Sequence, residues 1–156
     1  TIVRHFLVGV ASFLQLEGLA KSAHPDLAGI AAKALKETRY HVRHAGEWVI
    51  RLGDGTPESH RRTQEAVDEL WRYTGELFLV DEVDRTLVAA GLAPEISALL
   101  APWRAQVTDV LRRATLAVPA DGWMQRGGRQ GRHTEHLGRM LAEMQVLPRS
   151  YPGAQW

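Results

Sequence analysis

The spacing of apolar residues constrains the fold of this chain more than any other feature of its sequence. Apolar side chains recur every three or four positions through most of the 156 residues, and no stretch shows the alternation of a strand. The pattern predicts an all-α protein, and the length suits a single helical domain over residues 1–156. Pro102 is expected to kink or split the fifth helix, and Pro148 to end the last one. The predicted helices cover approximately residues 2–23, 26–52, 56–74, 81–90, 94–115 and 133–147.

The first two predicted helices are connected by only a few residues near Pro25, so we expect them to pack as an antiparallel hairpin. Helical spacing divides the second helix into two neighbouring stripes. The almost wholly apolar stripe consists of Ala28, Ala31, Leu35, Thr38, Val42, Ala45, Val49 and Leu52. The other stripe consists of Leu27, Ile30, Ala34, Glu37, His41, His44 and Trp48. Glu17 lies on an apolar stripe of the first helix, so one carboxylate is expected to face the polar residues of the second helix.

Glu17, Glu37 and His41 form the most informative candidate site. In ferritin-like di-iron bundles, one helix of a hairpin provides a Glu and its neighbour provides Glu-x-x-His, whose two side chains point the same way. Here Tyr40 occupies the histidine position of the Glu37 motif, and His41 comes one residue late. We therefore interpret the three residues as a buried or half-buried hydrogen-bonded cluster without metal, and we predict no metal site and no catalytic residue.

A second candidate site lies at the end of a long predicted loop over residues 116–131. Arg126, Arg129 and Arg132 surround flexible glycines and lead into a helix N-terminus, an arrangement that could hold a phosphate or a carboxylate. The segment has neither the Lys-Ser/Thr of a P-loop nor the strand context of a dinucleotide site. A solvated basic loop or a contact between subunits is the competing interpretation.

The last predicted helix offers little chemistry. His133 and His136 are three residues apart and lack the i, i+4 pairing of the zinc motif H-E-x-x-H. Four apolar residues continue the His133 stripe and are expected to be core: Leu137, Met140, Met144 and Leu147. Three tryptophans are typical of core or interface anchors: Trp71, Trp123 and Trp156.

Composition excludes several classes of function. The chain has no cysteine, which excludes disulfide scaffolds, thiolate zinc sites, iron–sulfur clusters and cysteine nucleophiles. The net charge of +1 without a basic block argues against nucleic-acid binding. The longest uncharged apolar stretch, residues 6–16, is shorter than the ~20 residues of a membrane span, so we predict a cytoplasmic protein with no membrane association.

Three long segments carry a resemblance to a known family. They are KALKETRYHVRHAGEWVIRLGDGTPESHRR, ELWRYTGELF and DGWMQRGGRQGRHTEHLGRMLAEMQVLPRSYPGAQW. Together they resemble the phenylacetate-catabolism ferritin-like family, and within it the non-catalytic subunits of the multicomponent oxygenase that epoxidises the ring of phenylacetyl-CoA. The likeness extends over nearly the whole chain and implies a ferritin-like helical bundle.

The resemblance also implies partners and cofactors. In the family, a catalytic sister subunit holds the di-iron centre that activates dioxygen, and a small bridging subunit and a reductase with NADPH, FAD and an iron–sulfur cluster complete the system. The non-catalytic subunit binds none of these cofactors itself and is needed for the activity of its sister. Tyr40 at the histidine position of the Glu37 motif matches what such a lost metal site would look like.

Family members are longer at the N-terminus, and this chain opens at Thr1 without a Met. We therefore expect the C-terminal part of the bundle with the first helix pair missing. Two other functions remain open from the residues alone. One is a metal-binding enzyme that uses Glu17, Glu37, His41 or His44. The other is a module that binds the phosphates of an acyl-CoA through the 126–132 loop.

Overall fold

The computed structural model describes residues 1–155 and is all-α, as the spacing predicts. Its architecture is that of a ferritin-like helical bundle, and no strand occurs within the described residues. Three short 3-10 helices lie between or before α-helices, at Gly75–Phe78, Ile96–Leu99 and Gly128–Gln130. The α-helices are α1 (Ile2–Leu19), α2 (Pro25–Gly53), α3 (Pro57–Trp71), α4 (Glu82–Ala89), α5 (Leu100–Arg113), α6 (Glu135–Met144) and α7 (Val146–Ser150).

The chain divides into two compact units, Thr1–Gln125 and Arg126–Trp156. The first unit contains α1 to α5 and all of the buried core, whereas the second contains α6 and α7. That the chain behaves as one domain stays a prediction.

Local signals in the sequence set the helix boundaries of the first unit. Thr56 caps α3, because its hydroxyl oxygen accepts a hydrogen bond of 3.2 Å from the Ser59 N–H, and Pro57 takes the first helical position. Asp81 and Asp84 form a capping box at the start of α4, in which each carboxylate accepts the backbone N–H of the other residue. These short helices therefore begin where the sequence places a cap.

α1 and α2 form the predicted antiparallel hairpin. Gly9 faces Val42, and the Arg39 guanidinium lies 5.6 Å from the ring of Phe13, so the residue numbers rise along one helix as they fall along the other. The buried residues of α2 include Ala31, Ala45 and Val49, which belong to the almost wholly apolar stripe. The almost wholly apolar stripe is therefore the face of α2 that packs into the core.

Two tryptophans and a phenylalanine form the centre of the first unit. The Trp103 ring lies 5.6 Å from the ring of Trp71 and 5.3 Å from that of Phe78, and all three are buried. The Trp103 indole N–H donates a hydrogen bond of 2.9 Å to the Leu7 carbonyl of α1. The Trp71 indole N–H is buried without an acceptor at hydrogen-bond distance in the described structure.

Two expectations about proline were wrong. Pro102 does not kink a helix that begins near residue 94; a 3-10 helix occupies Ile96–Leu99, and α5 begins at Leu100, so Pro102 is in its first turn. Pro148 does not end the last helix. α6 ends at Met144, a new helix α7 begins after Gln145, and Pro148 lies in the first turn of α7. The first-turn N–H groups of a helix have no intrahelical acceptor, so a proline there loses no hydrogen bond.

The prediction of a core stripe in the last helix was also wrong. Met140 is 51% exposed, Met144 68% and Leu147 54%, and α6 contains no buried residue. A unit of 31 residues is too small to enclose a core of its own, so a helical apolar stripe is not sufficient to predict burial there. Trp123 is exposed, and Trp156 lies outside the described residues.

α1 is also long and apolar enough, by length and composition alone, to cross a membrane. The core helix of a soluble protein passes the same test, and α1 packs against α2, α3 and α5. Its buried side chains are Val3, Phe6, Leu7, Val10, Ala11 and Leu14. These residues form the face of α1 that packs into the core.

Candidate functional site

Glu37 and His41 lie together on the solvent side of α2. The His41 Nε2 is 3.4 Å from the Glu37 Oε1, and the two side chains are 61% and 78% exposed, with His41 the less exposed. An exposed pair at this helical spacing contributes little to stability. The two residues are thus neighbours, as expected, but they are not buried or half-buried.

Tyr40, at the histidine position of the motif, belongs to a row of aromatic rings along α2. Its ring stacks on that of His44 at 6.0 Å and 19°, and the His44 ring meets that of Trp48 edge-on at 6.5 Å. The guanidinium of Arg43 lies 5.7 Å from the Tyr40 ring, and that of Arg51 lies 5.5 Å from the Trp48 ring. Cation–π contacts of this kind orient the rings along the helix surface.

Glu17 is not part of this group. It lies near the end of α1, where it lines a cavity of about 460 Å³ with Lys21, Pro94 and Leu99. No hydrogen bond or ion pair joins it to Glu37 or His41 in residues 1–155. The structure therefore brings two of the three predicted residues together and places the third elsewhere.

These positions do not fit a di-iron centre. A di-iron site needs carboxylates and imidazoles that converge, but here a stacked tyrosine takes the histidine position and the two glutamates are not joined. In the part of the chain that the structure describes, no three His, Asp or Glu side chains form a group that could hold a metal ion. The interpretation of Glu17, Glu37 and His41 as the remnant of a metal site stays a prediction.

A groove of about 610 Å³ lies between α2 and α5. Apolar atoms of Phe6 and Val42 form part of its lining, and Arg43 and Asp109 are among its charged residues. The Asp109 carboxylate accepts a hydrogen bond of 2.9 Å from Arg112, which holds its pKa below the ordinary value. Asp109 therefore stays ionised near neutral pH and is not suited to be a general acid.

The predicted anion loop forms a tight turn. Gly127 and Gly131 have positive φ angles of 101° and 81°, and the Gly127 carbonyl accepts hydrogen bonds from the N–H groups of Gln130 and Arg132. Those two backbone donors are therefore used within the turn and do not point at a ligand. Arg126, Arg129 and Arg132 are exposed around it. Anion binding by these three arginines stays a prediction.

Sequence reasoning missed the contacts that fix the segment 117–125. Gln64 binds Ala117 twice, accepting its N–H at 2.8 Å and donating to its carbonyl at 3.2 Å. Arg104 and Asp121 form an ion pair of 2.7 Å, and the hydrogen bond from Arg104 holds the pKa of Asp121 below its ordinary value. No motif joins residues so far apart in the sequence, so only the folded arrangement reveals these pairs.

Comparison with known proteins identifies a family. The sequence profile of the family described as "Phenylacetic acid catabolic protein" matches residues 1–156. The chain is 46% identical over 156 residues to a protein of Escherichia coli (strain K12) that is named as one of the subunits of 1,2-phenylacetyl-CoA epoxidase. The aligned region includes all of this chain and 63% of that relative, so the chain spans less than two thirds of the relative's length. The resemblance inferred from the three sequence segments is confirmed, and the chain belongs to the phenylacetic acid catabolic protein family.

Proposed function

We propose that this chain is a structural, non-catalytic subunit of a multicomponent di-iron oxygenase that epoxidises the aromatic ring of phenylacetyl-CoA. The observation that carries the proposal is its 46% identity, along its entire length, to a relative named as a subunit of 1,2-phenylacetyl-CoA epoxidase. A non-catalytic subunit of such a complex functions by binding and orienting its partners, so it needs an interface rather than an active site.

The geometry of α2 supports a non-catalytic role. Tyr40 is stacked on His44, and Glu37 contacts only the exposed His41 within the hydrogen bonds and ion pairs of the described residues. Neither arrangement gives the convergent carboxylates that activate dioxygen at two irons. The reacting iron atoms would therefore belong to another subunit.

The partners follow from this role. The catalytic sister subunit would hold the di-iron centre, a small bridging subunit would join the assembly, and a reductase would deliver electrons from NADPH through FAD and an iron–sulfur cluster. The chain has no cysteine, so it cannot itself hold a thiolate-bound iron–sulfur cluster. We place the complex in the cytoplasm.

Reconstitution tests the proposal. The chain is mixed with the cognate catalytic subunit, formation of a complex is measured by light scattering after gel filtration, and epoxidation is assayed with the bridging subunit and the reductase present. We expect a stable complex, and a rate that requires both subunits. No complex, or full epoxidation without this chain, would contradict the proposal.

A substitution separates this proposal from an enzyme with its own metal site. Glu37→Gln keeps the size of the side chain but removes the negative charge that a metal ligand needs. We expect Glu37→Gln to change the reconstituted epoxidation rate less than about twofold. Glu47→Gln, on the same helix, is the matched control and should change the rate equally little, because an exposed charge contributes little to stability. A fall of about 100-fold in a folded Glu37→Gln variant, with Glu47→Gln unaffected, would assign chemistry to Glu37.

A further inference from the structure

Every arginine of α2 lies over an aromatic ring. The distance from the guanidinium carbon to the ring centroid is 5.5 to 5.7 Å in the three contacts. Two of the contacts join residues three positions apart on α2 itself, so their geometry is set by helical spacing within one element. The pairs are Arg43 with Tyr40, Arg51 with Trp48, and Arg39 with Phe13 of α1.

These rings and guanidiniums lie on the exposed side of α2. We call Tyr40, Arg43, His44, Trp48 and Arg51 the α2 face; all five are exposed, with Tyr40 at 55% and Trp48 at 39%. The His44 ring contacts the rings of both Tyr40 and Trp48, so the aromatic surface is continuous. Tryptophan, tyrosine and arginine are the residue types that contribute most binding energy at protein interfaces. The α2 face therefore has the composition of an interface centre.

The arginines of α2 differ from those of α3, α4 and α5 in their charged partners. Within residues 1–155, no carboxylate lies at ion-pair distance from a guanidinium of α2, whereas each arginine of the other three helices has such a partner. A ring satisfies a guanidinium only in part, because the N–H donors at the edge of the guanidinium still need acceptors. The paired arginines are Arg61 and Arg62 of α3, Arg85 of α4, and Arg104, Arg112 and Arg113 of α5.

The charge of this stretch of α2 indicates an acidic partner. Residues 33–51 contain three arginines, two lysines and two glutamates, which gives +3 in a chain whose total is only +1. The positive charge is thus carried by the same segment that holds the exposed rings. Guanidiniums bind carboxylates in a bidentate geometry. An acidic protein surface is therefore complementary to the α2 face.

We propose that the α2 face docks an acidic helix of the catalytic partner subunit, in which two carboxylates bind Arg43 and Arg51. The two arginines are eight residues apart, which is about 12 Å along the helix axis. Carboxylates two turns apart on a helix that packs lengthwise against α2 have a similar separation. The rings of Tyr40 and Trp48 supply the apolar part of the contact. The proposal rests on the proposed function, because it assumes that the chain is a subunit.

Other anionic partners fit the α2 face less well. A nucleic-acid base needs a free ring face on which to stack, but the Tyr40 and Trp48 rings each already carry a guanidinium. A helix that lies on a membrane keeps its apolar residues on one side and its charges on the other, whereas here rings and guanidiniums share one side. A protein with surface carboxylates is the partner that uses the rings and the charges together.

The main test measures the dissociation constant between the chain and the cognate catalytic subunit by titration calorimetry. Arg43→Gln/Arg51→Gln removes both proposed carboxylate contacts, and we expect binding to weaken about tenfold or more and to depend less on salt. Arg61→Gln/Arg62→Gln is the matched control, because it removes the same charge from exposed arginines of α3. It should change the dissociation constant less than about twofold. Equal weakening in the two variants would mean that net charge alone acts, which would overturn the docking role.

A second pair of variants keeps the charge and changes only the guanidiniums. Arg43→Lys/Arg51→Lys should still weaken binding about threefold or more, because a lysine ammonium cannot reproduce the bidentate contact or the stacking on a ring. Arg61→Lys/Arg62→Lys should have no measurable effect. Circular dichroism checks that each variant keeps the helicity of the wild type. Wild-type affinity in Arg43→Lys/Arg51→Lys would contradict bidentate docking of carboxylates on the α2 face.

The outcomes separate the docking role from the proposed function. If the wild-type chain does not bind the catalytic subunit, both are overturned. If the wild type binds and Arg43→Gln/Arg51→Gln binds equally well, only the docking role is overturned. The same holds if this variant loses binding to a single-stranded oligonucleotide, or to vesicles of anionic phospholipid, while its complex with the catalytic subunit stays intact.

Discussion

The two units of this chain differ in how their helices use the same apolar periodicity. In the first unit, α1, α2, α3 and α5 enclose Trp103, Val107 and Leu111, which are almost completely buried. In the second unit, α6 is equally amphipathic in pattern, yet Met140 and Met144 stay exposed. Periodicity thus determines which face of a helix is apolar, but burial needs other helices on that side. The difference shows that an apolar stripe at helical spacing does not by itself predict burial.

The largest expected difference between the units comes from one substitution made in each. Leu111→Ala should lower the free energy of unfolding by about 3 kcal/mol, because it leaves a cavity in a packed core. Leu147→Ala is the matched change at an exposed position of α7, and it should lower the free energy by less than about 0.5 kcal/mol. Urea unfolding followed by circular dichroism measures both. Equal effects would mean that the second unit has a core as tight as the first.

Two tryptophan variants test the hydrogen bond at the centre of the first unit. Trp103→Phe removes the indole N–H that donates to the Leu7 carbonyl, while Trp71→Phe removes a buried N–H without an acceptor at hydrogen-bond distance in the described structure. Both lose similar volume, so Trp103→Phe should be the more costly by about 1 kcal/mol, the net value of one hydrogen bond. The difference between the urea unfolding midpoints of the two variants measures the contribution of this hydrogen bond. A larger loss for Trp71→Phe would contradict the hydrogen-bond assignment.

Substitutions at residues with positive φ angles should give a smaller difference between the two units. Thr115 follows the end of α5 with a φ of 58°, which a residue with a Cβ adopts at some cost. Thr115→Gly removes this cost together with a long hydrogen bond of 3.4 Å from the Thr115 hydroxyl to the Gly53 carbonyl, so it should stabilise the first unit by less than about 0.5 kcal/mol. Gly131 has a φ of 81° in the second unit. Gly131→Ala should strain the turn before α6 and leave the unfolding midpoint of the first unit unchanged. A shift of that midpoint by Gly131→Ala would show that the units unfold together.

The smallest effect concerns pH and the segment 117–125. Because the pKa of Asp121 is lowered by Arg104, the ion pair is fully present above the ordinary pKa of an aspartate and is lost as pH falls through the lower value in the folded protein. Below about pH 4, the Ala117 N–H should exchange with solvent a few times faster relative to its intrinsic rate. Asp121→Asn should give the faster exchange already at neutral pH and remove the pH dependence. Unchanged protection in Asp121→Asn would mean that the ion pair with Arg104 does not hold the Ala117 end of the segment.

Much of the fold was predictable because its signals are local. Thr56 and Pro57 mark the start of α3, Gly91 follows the end of α4, and the apolar stripe through Val49 identifies the buried face of α2. Pro102 misled the prediction because sequence alone does not show where the first turn of a helix falls. The approach of Gln64 to Ala117 is tertiary, and no local rule could reveal it.

The candidate site was less predictable for the same reason. Glu37 and His41 are four residues apart on one helix, so their contact followed from helical spacing. The position of Glu17 depended on how α1 sits against α2 and the segment around Pro94, which periodicity does not specify. The exposed methionines of α6 had the pattern of core residues, and periodicity alone does not show that they are exposed.

The most direct test of the central claim is the iron content of the chain, purified alone and then in complex with the cognate catalytic subunit. We expect no stoichiometric iron in the chain alone, and about two irons per heterodimer in the complex, as in a bundle with one di-iron centre. Stoichiometric iron bound by the chain alone would contradict the account, and Glu37 with His41 would then be the first residues to examine as ligands.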